Sequence, residues 1–173
     1  GATLTDVVFD GVEVPVENVV GEEDGWNQGW PMLAGPALDV EKLEVAAMAL
    51  GLATAALDDA WAYSFERKQF GQPIGAHQSV RHALADAKTR LLAARLVLQQ
   101  ASWLADENKP CGVESSMAKL FVCETAEDIV LACQRVMGAY GCVRGVDMER
   151  YVRDILVFNI AGEYFGLFNR CPH

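Results

Sequence analysis

The sequence predicts an all-α fold, an up-and-down four-helix bundle preceded by a short β segment. Three observations carry this. Apolar residues recur at helical spacing through stretches of roughly 30 residues. Short joints, Phe70-Gly71-Gln72-Pro73 and Asn108-Lys109-Pro110, separate these stretches. Only the first residues alternate as a strand does. Long helices joined by short loops pack antiparallel to their sequence neighbours, which is the up-and-down arrangement.

In chain order, Leu4, Val7, Phe9, Val12 and Val14 alternate roughly with polar neighbours up to Pro15. This pattern predicts one or two strands with a turn at Asp10-Gly11. Asp24, ahead of Gly25-Trp26, is a candidate cap for the first helix. Met32, Leu33, Leu38, Leu43, Ala47, Leu50, Ala53 and Leu57 keep helical spacing to about Phe65, with Pro31 and Pro36 bending or interrupting the first turns. A second helix is expected from about Ala76 to Asp106, with Val80, Leu84, Leu91, Leu92, Leu96 and Trp103 on its inner side. A third is expected from about Val113, with Ser115 as a possible cap, to Ala139. The last begins near Asp147, carries Glu149, Arg150 and Arg153 on its surface and ends by about Val157.

Composition bounds the function classes. With 51% hydrophobic and 22% charged residues, and no apolar run near the ~18 residues of a membrane span, the chain reads as globular and not membrane-embedded. The 14 Lys and Arg against 24 Asp and Glu give a formal charge of −10, which disfavours the broad cationic surface that nucleic acid needs. Any anionic ligand must be met locally. Five cysteines without a C-x-x-C pair argue against a disulfide scaffold or zinc site and for reduced thiols in the cytosol, with Cys123 and Cys133 as small buried helix residues. A carboxylate-bridged di-iron bundle would need Glu-x-x-His repeats on facing helices, and the sequence has none.

Residues 63–86 carry the sharpest signal, with R-K-Q-F-G-Q-P-I-G-A-H-Q at 67–78 forming a basic, glycine-broken turn between two helical patterns. It resembles the junction between the first two helices of the C-terminal domain in acyl-CoA dehydrogenases, where R-x-x-F-G, P-I and a following Gln recur at this spacing. The resemblance continues in V-V-F-D-G-V-E-V-P-V-E-N-V-V-G near the start, in Leu84-Ala85-Asp86, Ala118-Lys119, Met137-Gly138-Ala139-Tyr140-Gly141, and Glu149 to Asp154. It implies that residues 1–22 are the end of a β-domain and linker and that residues 23–173 are the helical domain. On this reading the chain is a C-terminal fragment of a longer protein or a short paralogue.

What the resemblance implies for the chemistry follows residue by residue. Family members bind FAD across a subunit interface, so Arg67, Gln69, Phe70 and Gln78 fall on cofactor-binding positions. Arg67 is then a bidentate donor to the pyrophosphate, and its bland alternative is a solvated cation at a helix C-terminus. Gly138 opens the turn that lets backbone approach the cofactor. The family's Gln before that turn corresponds to either Gln134 or Arg135, only one of which can face it at 100° per residue. Cys142 stands where the family usually has an aromatic.

The base is the second implication. These enzymes remove an α-proton of the thioester with a shielded Glu. Most carry it near the C-terminus in a segment resembling I-Y-E-G-T, and here that position falls on Gly162. The isovaleryl-CoA and long-chain types place it in a segment resembling L-D-L-E-R. This chain has Leu38-Asp39-Val40-Glu41-Lys42, so Glu41 falls on the catalytic carboxylate, with Asp39 and Lys42 beside it as substrate-binding candidates. Glu163 is the rival, reached by a one-residue slip. Tyr164 replaces the Thr that normally helps hold the flavin, which keeps open a non-catalytic partner subunit, or a structural bundle, that completes the FAD site of another chain. The implied partners are an acyl-CoA substrate, an electron-transfer flavoprotein or similar acceptor, and further copies of the chain in a homodimer or homotetramer.

Overall fold

The computed structural model describes residues 5–21 and 25–156. The helices are α1 (Gly29–Leu33), α2 (Pro36–Glu66), α3 (Gln78–Asp106), α4 (Gly112–Met137) and α5 (Asp147–Ile155), and β1 (Lys68–Gln69) pairs with β2 (Gln72–Pro73) between α2 and α3. A hydrogen bond from Lys42 to Ser116 at one end and a Tyr63–Tyr140 ring contact at the other show that α2 and α4 run parallel. Arg90 of α3 pairs with Asp128 of α4 across the antiparallel hairpin between them. The up-and-down bundle is thus in place, with the short α5 laid against α2 and α4.

Alanine sets how closely the helices pack. In α2 the buried positions include Leu43, Ala46, Leu50, Ala53, Leu57 and Ala60, flanked by buried Ala49 and Ala56, and in α3 they are Leu84, Ala87, Leu91, Ala94, Leu98 and Ala101. These three- and four-residue steps are a heptad seam in which each leucine fits beside a small neighbour. Truncating a fully buried leucine such as Leu57 to Ala would cost about 2–5 kcal/mol. In α5, Met148, Tyr151 and Ile155 form the inward stripe, while Glu149–Arg153 at 2.8 Å and Arg150–Asp147 at 3.2 Å lie outside it.

Several sequence expectations need correction. Leu92, Leu96 and Trp103 are 57%, 56% and 48% exposed, not on the inner side of α3. Size-based periodicity picked the large residues, whereas the seam uses Ala87, Ala94 and Ala101 between its leucines. Residues 5–15 form no strand, although the bend at Asp10-Gly11 is present, with Gly11 at φ +60°. A strand needs a neighbour for its backbone groups, and among the described residues none lies beside this one. The N-cap of α4 is Cys111, and Ser115 is instead fully buried within the first turn. That helix stops at Met137 because Gly138 adopts φ +60°, a left-handed value glycine takes freely. Pro36 occupies the first turn of α2 and separates it from α1, as its fixed φ favours. Asp24, the proposed cap, lies outside the described residues.

Candidate functional site

The C-terminal end of α2 and the turn after α4 meet in a groove of about 490 Å³, within the size range of small-molecule sites. Arg67 and Gln69 line it from the hairpin side and Gly138 from the α4 side. Three of the predicted cofactor residues, far apart in sequence, therefore converge. Arg67 is the C-cap of α2 and is exposed, and among the described residues no carboxylate pairs with it. An unpaired guanidinium at a groove mouth is the donor that a diphosphate needs. At Gly138 nothing lies within 4 Å of where a Cβ would stand, so a ligand can approach the backbone. The donor set and open backbone fit the diphosphate-bearing half of a dinucleotide.

The hairpin is built to hold that edge in place. Phe70 at φ +53° and Gly71 at φ +79° form a two-residue turn with both central residues left-handed, the type I′ geometry that suits strand twist. Phenylalanine is unusual there, because a bulky residue pays a steric penalty in that region. It is also 93% exposed. His77 pins the turn from below: its ring meets Phe70 edge-on at 5.9 Å, and its nitrogens lie 3.3 Å from Gln72 Nε2 and 3.4 Å from the Gln69 carbonyl. Ile74, buried, donates its N–H to the Arg67 carbonyl at 2.8 Å.

The other predicted cofactor residues lie off the groove. Phe70 stands at the hairpin tip, and Gln78 is exposed at the start of α3 with its amide 3.4 Å from His82 Nε2. Gln134 faces the Gly138–Cys142 turn and donates to Cys142 Sγ at 3.3 Å, whereas Arg135 is exposed. Of the two, Gln134 is the one directed at the glycine turn. Sequence reasoning missed Tyr63 and Tyr140, whose rings stack in the groove wall with centroids 5.4 Å apart and planes 10° from parallel. The one available signal was Tyr140 inside the glycine turn itself.

Glu41 sits at the opposite end of α2. Twenty-two residues separate it from Tyr63, about 33 Å of helix at 1.5 Å per residue. It is exposed, and among the described residues its side chain makes no ion pair or hydrogen bond. Its neighbours are engaged. Lys42 Nζ lies 3.0 Å from Asp39 Oδ1 and 3.1 Å from Ser116 Oγ, and Ser115 Oγ donates towards Asp39 Oδ1 at 3.2 Å. Asp39 thus places its carboxylate at the positive N-terminal end of α4, where it is favoured. The two substrate-binding candidates stitch α2 to α4 on one side of the helix, and the turn they fix presents Glu41 on another. Gly162, Glu163 and Tyr164 lie outside the described residues.

The profile described as "Acyl-CoA dehydrogenase, C-terminal domain" matches residues 27–162. A Bacillus subtilis (strain 168) protein named acyl-CoA dehydrogenase is 39% identical over 161 residues, covering 92% of this chain and 41% of that protein. A caffeyl-CoA reductase-Etf complex subunit from Acetobacterium woodii is 38% identical over 160 residues, with the same 92% and 41% coverage. The structure of butyryl-CoA dehydrogenase from Megasphaera elsdenii superposes with a TM-score of 0.71 at 35% identity, over 74% of this chain and 33% of that one. Helical bundle and sequence together define the class: this chain belongs to the acyl-CoA dehydrogenase family. It spans about two fifths of the length of the relatives it matches.

Among the described residues no group of three or more His, Cys, Asp or Glu side chains is placed to hold a metal ion, and no helix is long and apolar enough to cross a membrane.

Proposed function

We propose that this chain is the C-terminal helical part of an FAD-dependent enzyme that dehydrogenates an acyl-CoA thioester between its α and β carbons. The observation that carries this is the convergence of Arg67, Gln69 and Gly138 on one groove. Arg67 would meet the pyrophosphate of FAD, the Gly138 turn would let backbone approach it, and Phe70 would pack against the adenosine half from the hairpin tip. When bound, FAD supplies the acceptor for the hydride that leaves the β carbon. Gln78, off the groove at the start of α3, and Gln134, directed at the glycine turn, are further candidate amide donors, and Arg135 adds positive charge beside Gln134.

Glu41 is the proposed base. Its carboxylate takes the α-proton, and Asp39 and Lys42 hold the α2 turn that carries it on α4. The role requires Glu41 to be shielded from water so that its pKa rises towards the working range. Parts of the protein beyond the described residues would have to provide that cover.

The distance of about 33 Å between Glu41 and the groove bears on assembly. It exceeds the span of one dinucleotide, so one chain's Glu41 and Arg67 serve two different FAD molecules. That supports a homodimer or homotetramer in which each flavin lies between copies. An electron-transfer flavoprotein is the proposed acceptor, supported by the Etf complex in the name of one relative. Four described cysteines are all free thiols, which supports a reducing, cytoplasmic setting.

The test is the visible spectrum of the full-length protein as purified, followed by titration with a panel of acyl-CoA thioesters. Bound flavin that bleaches with one of them supports the dehydrogenase. A colourless protein that FAD does not reconstitute would overturn this reading in favour of a non-catalytic bundle completing another chain's site.

A further inference from the structure

Cys142, which stands in place of an aromatic, does not line the groove; its sulfur is engaged by Gln134 Nε2 at 3.3 Å. The groove nevertheless has an aromatic wall. Tyr63, from the last turns of α2, is half-buried, and Tyr140, from the turn after α4, is 50% exposed. Their near-parallel stack sets Tyr63 against one face of Tyr140, and half of Tyr140 stays exposed among the described residues. Neither phenol has a hydrogen-bond partner among the described residues. A part-exposed tyrosine ring in the same groove wall as the Arg67 guanidinium, which no carboxylate among the described residues pairs, fits a planar heterocycle carried on a diphosphate.

We infer that Tyr140 is a nucleotide-contacting residue, stacking its ring on the adenine ring of the dinucleotide whose pyrophosphate Arg67 meets. It thereby supplies the aromatic contact that Cys142 cannot. This rests on the FAD reading above and adds to it a residue that the resemblance does not assign. Stacking on a tyrosine face is tolerant of ring substituents, so ADP alone binds this wall through the same adenine and diphosphate contacts.

The experiment uses flavin-stripped full-length protein, with ADP and then FAD titrated calorimetrically into wild type, Tyr140→Phe, Tyr140→Leu and Tyr140→Ala. Tyr140→Phe keeps the π-face and should bind ADP within about twofold of wild type. Tyr140→Ala should weaken ADP binding roughly 5- to 140-fold, the range for losing one stacked aromatic. Tyr140→Leu keeps apolar bulk over Tyr63 and removes the π-face, so it should lose affinity with an unchanged Tm and serves wherever the Ala variant is destabilised. Unchanged ADP affinity in the Leu and Ala variants, with wild type binding FAD, overturns the assignment of Tyr140 and leaves the flavin reading standing. Tighter binding in those variants means that the ring obstructs the groove, which overturns it equally. Wild type binding neither ADP nor FAD overturns both.

Discussion

Gly75 packs so closely on Ser64 that a Cβ at position 75 would stand 2.9 Å from Ser64 Oγ and 3.1 Å from its carbonyl oxygen. Ser64 is buried and its hydroxyl donates to the Trp61 carbonyl at 2.7 Å, so it has little freedom to yield. This contact seats the segment after the hairpin against α2 and fixes the height at which Arg67 and Phe70 are presented. Gly75→Ala should destabilise the protein by about 1–3 kcal/mol through overpacking. It should also weaken FAD retention by displacing the hairpin. Urea unfolding and flavin release on dilution check the two effects, and an unchanged midpoint would mean the hairpin is not anchored here.

Phe70 occupies a left-handed turn position where Asn is strongly preferred ahead of Gly. Phe70→Asn should therefore raise stability by about 1 kcal/mol, the scale of the penalty for a bulky residue there. The same change removes an aromatic that is 93% exposed, and it should weaken FAD binding. Opposite shifts of Tm in the apoprotein and of FAD affinity are the expected signature of a residue kept in strain for its ligand. A loss of both would make Phe70 structural.

Much of the fold is legible in the sequence because helix punctuation is local chemistry. Asn108-Lys109-Pro110 ends α3 and Asp147 begins α5 where the sequence places them, whereas Pro36, expected only to bend or interrupt the first helix, starts α2. The seam is less legible, since alanines at 87, 94 and 101 carry no size signal while Leu92 and Trp103 do. Ser115 looks like a cap only until its partner, Asp39 of another helix, is known. At the groove, Arg67, Gln69 and Gly138 are found by motif, whereas the Tyr63–Tyr140 wall exists only once α2 and α4 lie parallel.

Asp39 joins Lys42 and the fully buried Ser115 into one polar contact between α2 and α4. Asp39→Ala should lower stability by about 1–2 kcal/mol, because the Ser115 hydroxyl keeps only the Gly112 carbonyl, at 3.2 Å, and Lys42 keeps only Ser116. Thermal unfolding checks this. If Asp39→Ala instead leaves Tm unchanged and raises only the thioester KM, Asp39 acts on substrate and not on the bundle.

Burial pushes the Cys123 thiol up to about 11 and the Cys133 thiol up to about 12, from an ordinary value of 9.0. For Cys123 the neighbouring Lys119 opposes the rise and Glu124 adds to it. Both folded values lie above the unfolded one, so the stability these thiols contribute is fully present below pH 9.0 and is lost as pH climbs through 11 and 12. Unfolding free energies should fall above about pH 9, less steeply in a Cys133→Ala variant. At about pH 8 an alkylating reagent should leave Cys123 and Cys133 unmodified in the native protein and modify both in urea, as peptide mass mapping would read. Rapid native labelling of either would mean that the α4 core opens.

The most direct test is anaerobic titration of the flavin-loaded full-length protein with the thioester that bleaches it best, in wild type and Glu41→Gln. The amide keeps size and polarity but cannot take a proton. Wild type should bleach, whereas Glu41→Gln should hold its flavin at full occupancy and bleach at least about 100-fold more slowly, the smaller end of what a positioned base contributes. Equal bleaching rates in the two proteins would contradict Glu41 as the base and direct attention to Glu163.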